Sequence, residues 1–181
     1  MRHVPNIITF IRVILAPVIS LLIFTALPEH GILILSLFLI ASISDWLDGY
    51  LARQMQVVSA MGRMLDPIAD KLLVAGCLIG LAAYRGADMI FMLPALAILF
   101  REILVSGLRE HLAAEEVVVP VTLLAKWKTA AQMTAIGCLL SAPAAEIPDG
   151  VEQIGLVILW VSAVMTLITG WQYFYAARNH L

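Results

Sequence analysis

Charge is scarce in this sequence. Lys, Arg, Asp and Glu together make up 13% of its 181 residues, whereas a soluble domain carries about 25%. A chain so short of charge lacks the surface of a water-soluble globule. Nor is there any excess of positive charge. The formal net charge is -2, so no global basic field recruits nucleic acid, and none is expected as a partner. Cysteine is limited to Cys77 and Cys138, far apart in apolar runs. That excludes a disulfide framework and a zinc-ligand spacing, and leaves two buried thiols. No small-x-small cleavage site is obvious after the apolar run that follows Arg2, and Arg12 interrupts the run, so Met1 to Pro28 reads as a retained first span rather than a signal peptide. There is no internal repeat and no long linker, so one domain over 1–181 is expected.

What the chain has is apolar length. Hydrophobic residues make up 62% of it, and the mean hydropathy is +0.97. A spanning helix needs about 20 mostly apolar residues. Turn signals divide the chain into six such segments, near 7–27, 31–53, 62–83, 87–111, 122–142 and 152–177. The expected fold is therefore all-α, a polytopic membrane protein with six transmembrane helices and both termini on one side. Arg2, Arg12, Arg53, Arg63, Lys71, Arg101, Arg109, Lys126, Lys128 and Arg178 fall at or toward that side, against Arg85 alone opposite, so the positive-inside rule makes it cytoplasmic. Trp171, Tyr173, Phe174 and Tyr175 beside Arg178 read as an interfacial aromatic belt that meets membrane lipids.

Carboxylates inside a membrane are expensive, yet Asp45, Asp48, Asp66 and Asp70 lie at the ends of two consecutive spans. Spacings of three and four put each pair on one helical face. If the 54–61 connection reverses the chain, the two faces converge at one depth. Four hard oxygen donors suit Mg²⁺ or Mn²⁺, and no His or Cys lies among them to favour zinc. One octahedral Mg²⁺ does not use four carboxylates, so two bridged ions and two-metal phosphoryl chemistry follow. Gly49 and Ala52 share the face of Asp45 and Asp48, where small residues either admit a ligand to the backbone or pack against another helix. Asp66 before Pro67 is also open to reading as a helix cap, which leaves the other three carboxylates unexplained.

Asp45, Asp48, Gly49, Ala52, Arg53, Gly62, Asp66 and Asp70 reproduce every fixed position of the pattern D-x2-D-G-x2-A-R-x8-G-x3-D-x3-D. In this the chain resembles the CDP-alcohol phosphotransferase family. The resemblance implies a dinuclear site, with Asp45, Asp48 and Asp66 as metal ligands and Asp70 near the second ion as general base. It also implies a CDP-lipid site built from Asp48, Gly49, Ala52, Arg53 and Gly62, with Arg53 near the phosphates. Asn6 and Thr9 are open to two readings, as nucleotide contacts or as a helix-start cap. The implied donor substrate is CDP-diacylglycerol, the implied assembly a homodimer, and the implied location a bacterial cytoplasmic membrane with the site facing the cytoplasm.

The remaining cations bear on the acceptor. Arg101 and Arg109, each followed by Glu, stand eight residues and about 80° apart on the fourth span, and Lys126 and Lys128 begin the fifth. A phosphate gripped by guanidinium is one partner for such residues; Glu102, Glu110 and lipid headgroups are the others. The segments around Asn6 to Arg12, Arg101 to Arg109 and Lys126 to Gln132 resemble the branch of the family that uses glycerol 3-phosphate, although Ala125 stands where that branch commonly has Gly. Inositol phosphate and serine are the rival acceptors. An intramembrane prenyltransferase and a divalent-cation transporter also use paired carboxylates, but the first needs a longer, duplicated arrangement and the second leaves Gly49, Ala52 and Arg53 without a role.

Overall fold

The computed structural model describes residues 4–55, 60–86, 88–115, 117, 122–143, 148 and 150–178, without the side chains of 4–8, 45–55, 60–64 and 66. Among the described residues the protein is all helical. Its helices are α1 (Val4–Met55), α2 (Ala60–Arg85), α3 (Met89–Ala114), α4 (Leu123–Ser141) and α5 (Val151–Ala177). Among the described residues, four stretches are long and apolar enough to cross a bilayer: Thr9–Ser44, Pro67–Arg85, Met89–Ala114 and Val151–Ala177. The protein is an integral membrane protein. α4 falls short of that standard because Lys126, Lys128 and Gln132 dilute its apolar content.

The expected break near Pro28 to Gly31 takes an unexpected form. α1 runs through it with a single non-helical residue, His30 (φ -126°, ψ 25°). That residue still turns the chain sharply. Were α1 straight, Arg12 and Met55 would lie ~64 Å apart. Yet Arg12 forms an ion pair with Asp70, which lies ~15 Å along α2 from Ala60. The five residue steps from Met55 to Ala60 reach at most ~19 Å. With about 12 Å allowed for the two paired side chains, the available path is shorter than the straight helix by roughly 20 Å. α1 must therefore bend by about a right angle or more at His30, directly after Pro28 has removed one helical donor.

Two compact units divide the chain: Met1–Gly86 with Ile136–Glu152, and Ala87–Ala135 with Gln153–Leu181. In the first, α1 buries Thr9, Arg12, Ala16, Ile19, Ile23 and Leu27, then Ile34, Phe38 and Ala41. The three- and four-residue steps keep one face inward, while Phe10, Ile14, Leu21 and Phe24 point outward. α2 meets that inward face through Ala69, Leu73, Cys77 and Leu81. Backbones come closest at Gly76 and Gly80. A Cβ at Gly76 would lie 3.1 Å from the Ala16 carbonyl oxygen, and one at Gly80 would lie 2.8 Å from that of Ser20. Small residues four apart permit this approach, which raises dispersion contact where lipid offers no hydrophobic drive. Contacts at Arg12 with Asp70, Ala16 with Gly76 and Ser20 with Gly80 advance together along both chains, so the first half of α1 and α2 run parallel. Arg85 Nη1 closes the far end on Glu152 Oε1 at 2.6 Å.

In the second unit, Asp88 caps α3 by accepting from the Ile90 amide at 3.0 Å. Trp160 Nε1 donates to the Ile90 carbonyl at 2.9 Å. α5 buries a regular stripe of Gly155, Leu159, Ser162, Thr166, Thr169, Tyr173 and Ala177. Tyr173 therefore departs from the expected aromatic belt and faces inward, whereas Trp171, Phe174 and Tyr175 are exposed. Arg178 lies over the Tyr175 ring at 4.0 Å.

The glycine seam yields a test. Gly80→Ala is expected to lower stability by about 1–3 kcal/mol through overpacking. Gly107→Ala, where an added methyl meets nothing within 4 Å, should be neutral or mildly stabilising. Thermal unfolding of both variants in one detergent measures the difference, and equal midpoints would refute the seam.

Candidate active site

One group of candidate residues is written on α1 and α2. α1 carries Asn6, Thr9, Asp45, Asp48, Gly49, Ala52 and Arg53, and α2 carries Gly62, Asp66 and Asp70. Asp45 and Asp48 fall within one turn of α1, and Asp66 and Asp70 within about one turn of α2. The side chains of Asn6, Asp45, Asp48, Gly49, Ala52, Arg53, Gly62 and Asp66 lie outside the described residues, so their proposed contacts do too. Two cap readings are corrected by the backbone. α2 starts at Ala60, which places Asp66 and Pro67 well inside the helix rather than at its beginning. α1 starts at Val4, so Thr9 is beyond the first turn, and it is buried.

Of the four aspartates on α1 and α2, Asp70 is the one whose side chain is described. Arg12 Nη1 donates to its Oδ1 at 2.7 Å across 58 residues of sequence. Arg12 is 1% exposed and Asp70 is 48% exposed. A buried guanidinium thus holds one oxygen of a carboxylate that remains half open to its surroundings. Such an arrangement fixes orientation and leaves access for chemistry. The partner was missed in the sequence, although an arginine within an apolar run signals that a carboxylate must be found. As a donor set, four aspartates with hard oxygens and no sulfur or imidazole fit Mg²⁺ or Mn²⁺. The two turns of helix supply them in pairs.

A separate group, within the second unit, is a polar layer joining α3, α4 and α5. Arg101 is buried. Its Nε donates to the Thr166 carbonyl at 3.1 Å, its Nη2 to Thr169 Oγ1 at 2.9 Å and its Nη1 to Glu102 Oε1 at 3.1 Å. The guanidinium carbon also sits 5.9 Å from the Tyr173 ring centre. Gly170 makes room for its stem, since a Cβ there would lie 2.9 Å from Arg101 Cγ. Lys128, buried on α4, bonds to the same Glu102 oxygen. One turn on, Gln132 Nε2 donates to Thr166 Oγ1 at 3.1 Å. Glu102, one of the partners open to Arg101 in the sequence, is in contact with it. Arg109 and Lys126 are exposed on α3 and α4 and stand outside this cluster. Thr166, Thr169 and Tyr173 were not foreseen. Their only sequence signal is the spacing of polar residues in an otherwise apolar helix.

Paired aspartates together with Gly49, Ala52, Arg53 and Gly62 at these spacings mark a class of membrane transferase. The sequence pattern of that class, CDP-alcohol phosphatidyltransferase, matches residues 2–168, and the chain belongs to this family. It is 44% identical over 179 residues to the CDP-diacylglycerol–glycerol-3-phosphate 3-phosphatidyltransferase of Rickettsia bellii, covering 99% of this chain and 97% of that protein. It is 36% identical over 213 residues to the protein of the same name from Cereibacter sphaeroides, covering 98% and 96% respectively. The cardiolipin synthase (CMP-forming) of Oryza sativa subsp. japonica is also similar, 36% identical over 176 residues that cover 90% of this chain and 54% of that protein.

The Arg12–Asp70 pair predicts a coupling. In a double-mutant cycle of Arg12→Met and Asp70→Asn, thermal or denaturant unfolding should show an interaction of about 1–2 kcal/mol. The value is held down by the exposure of Asp70. Strictly additive effects would mean the pair contributes nothing.

Proposed function

We propose that this protein transfers the phosphatidyl group of CDP-diacylglycerol to sn-glycerol 3-phosphate, forming phosphatidylglycerophosphate and CMP. The observation that carries the reading is likeness over nearly the full length of both chains to relatives bearing that activity in their names. The complete aspartate pattern supports the donor side of the reaction.

In this reading Asp45, Asp48, Asp66 and Asp70 hold two Mg²⁺ or Mn²⁺ ions, which when bound neutralise pyrophosphate charge. Gly49 and Ala52 let the cytidine diphosphate approach the backbone of α1. Arg53 meets its phosphates, and Asn6, Thr9 and Gly62 complete the donor pocket. Asp70 takes the proton from the primary hydroxyl of the acceptor as its oxygen bonds to the lipid-linked phosphorus. The bond from that phosphorus to CMP breaks, and CMP leaves with the electron pair. Arg12 keeps the Asp70 carboxylate in one orientation through the step. Arg101, Arg109, Lys126 and Lys128 form the acceptor-phosphate set.

The bend at His30 divides α1 into two spanning segments, and with α4 as a fifth span the protein crosses the membrane six times. Both termini and the aspartates face the cytoplasm, and the working unit is a homodimer in a bacterial cytoplasmic membrane.

Purified protein is assayed with CDP-diacylglycerol, Mg²⁺ or Mn²⁺, and glycerol 3-phosphate, inositol phosphate or serine, with CMP and lipid product followed. Glycerol 3-phosphate is expected to be the efficient acceptor. If it is inert while another alcohol reacts, the family stands and this acceptor falls. Chelation with EDTA should abolish turnover, and either ion should restore it; activity that survives chelation would argue against the metal. Asp70→Asn should lower turnover by about 100-fold or more with donor binding retained, and wild-type turnover in the folded variant would remove Asp70 as the base.

A further inference from the structure

The basic cluster of the second unit has an acid at its centre. Glu102 Oε1 accepts from Arg101 Nη1 at 3.1 Å and from Lys128 Nζ. The two cations are 9% and 7% exposed at their side chains, and Glu102 is 21% exposed. Arg101 is itself held from α5 by the Thr166 carbonyl and the Thr169 hydroxyl. A chain of contacts therefore runs from the α5 backbone through a rigid guanidinium and one carboxylate oxygen to the end of a flexible lysine. The order matters physically. Arg101 has its fork committed to fixed partners on α5, whereas Lys128 is a compact charge on a four-carbon stem that goes where its acceptor sits.

We propose that Glu102 is a positioning residue for acceptor recognition: it places the Lys128 ammonium, from an anchor supplied by Arg101, for contact with the phosphomonoester of the acceptor. The proposal rests on the reading of a phosphorylated acceptor given above. It gives Arg101 a second part beside its place in the acceptor-phosphate set, as the anchor of Glu102.

Electrostatics and positioning predict opposite signs for one substitution. Arg101, Lys128 and Glu102 sum to one positive charge. Glu102→Gln raises that to two, and attraction alone would then tighten binding of a phosphate dianion. Positioning predicts the reverse, because the amide offers Lys128 a weaker, neutral acceptor. A role confined to folding predicts neither, since it would lower the yield of folded enzyme without separating the two substrates.

Steady-state kinetics of wild type, Glu102→Gln, Lys128→Gln and the double variant in mixed micelles decide between these. Expected is a rise of about tenfold in the KM for glycerol 3-phosphate in each single variant, with the KM for CDP-diacylglycerol within about twofold of wild type and the double variant no worse than the poorer single one. An unchanged or lower acceptor KM in Glu102→Gln overturns the proposal, as does multiplication of the two effects. Glu102→Asp keeps the charge but shortens the reach by one methylene. It should also raise the acceptor KM, and a wild-type value there would overturn the proposal even if Glu102→Gln did not fold. The wild-type arm separates the two readings. Preference for another phosphorylated alcohol removes only the named acceptor, and the same comparison is then made with that alcohol. Preference for an alcohol without phosphate overturns both.

Discussion

Inside a bilayer an ionised side chain has no water to turn to, and that constraint shapes both units of this protein. Each unit buries an arginine, and each arginine finds its carboxylate: Arg12 with Asp70, and Arg101 with Glu102. Hydroxyl groups are handled differently. Thr25, Ser36, Ser42, Thr129 and Thr134 return their protons to carbonyls one turn back on their own helices, which satisfies them without a neighbour. Among the described residues, Arg12, Arg85, Arg101, Lys128, Gln132 and the Trp160 indole donate across to another helix. Charge compensation consequently specifies which helices pair, while apolar packing and the Gly76 and Gly80 seam determine how closely they approach.

The helices themselves were legible in the sequence because a spanning segment needs a long apolar run, and turn residues mark its ends. The pairing of the aspartates along their helices follows from spacings of three and four, and the backbone keeps both pairs helical. Other features depend on contacts that no local pattern encodes. Pro28 to Gly31 has the composition of a turn, yet one non-helical residue at His30 is enough to redirect the chain. Asp66 and Pro67 have the form of a helix start, but the segment from Ala60 to Leu65 is rich in helix formers and carries the helix backwards past them. Tyr173 sits among exposed aromatics in sequence and faces inward because it falls on the buried stripe of α5. Arg12 could be read as a topological charge until Asp70 was placed beside it.

The polar layer of the second unit shows how an apolar helix can carry an ionic site. α5 contributes no charged residue to it. It offers a backbone carbonyl, two threonines, a tyrosine face and the gap at Gly170, all on one stripe. Those groups fix Arg101 from several directions, so the carboxylate beside it has a stable support. The other side of the same helix keeps Val157, Val161, Val164 and Ile168 exposed. One helix thus serves as a solvent for a guanidinium on one face and keeps the other apolar.

The ion pair between Arg12 and Asp70 spans 58 positions of sequence, and this separation has a consequence for biogenesis. The ribosome releases Arg12 long before it has added Asp70. During that interval the first helix carries a cation without its eventual counter-charge, and headgroups or water at the membrane boundary must hold it. Its final burial waits for α2 to insert alongside. A segment made earlier therefore depends for its burial on one made later, because the carboxylate that receives Arg12 lies on α2.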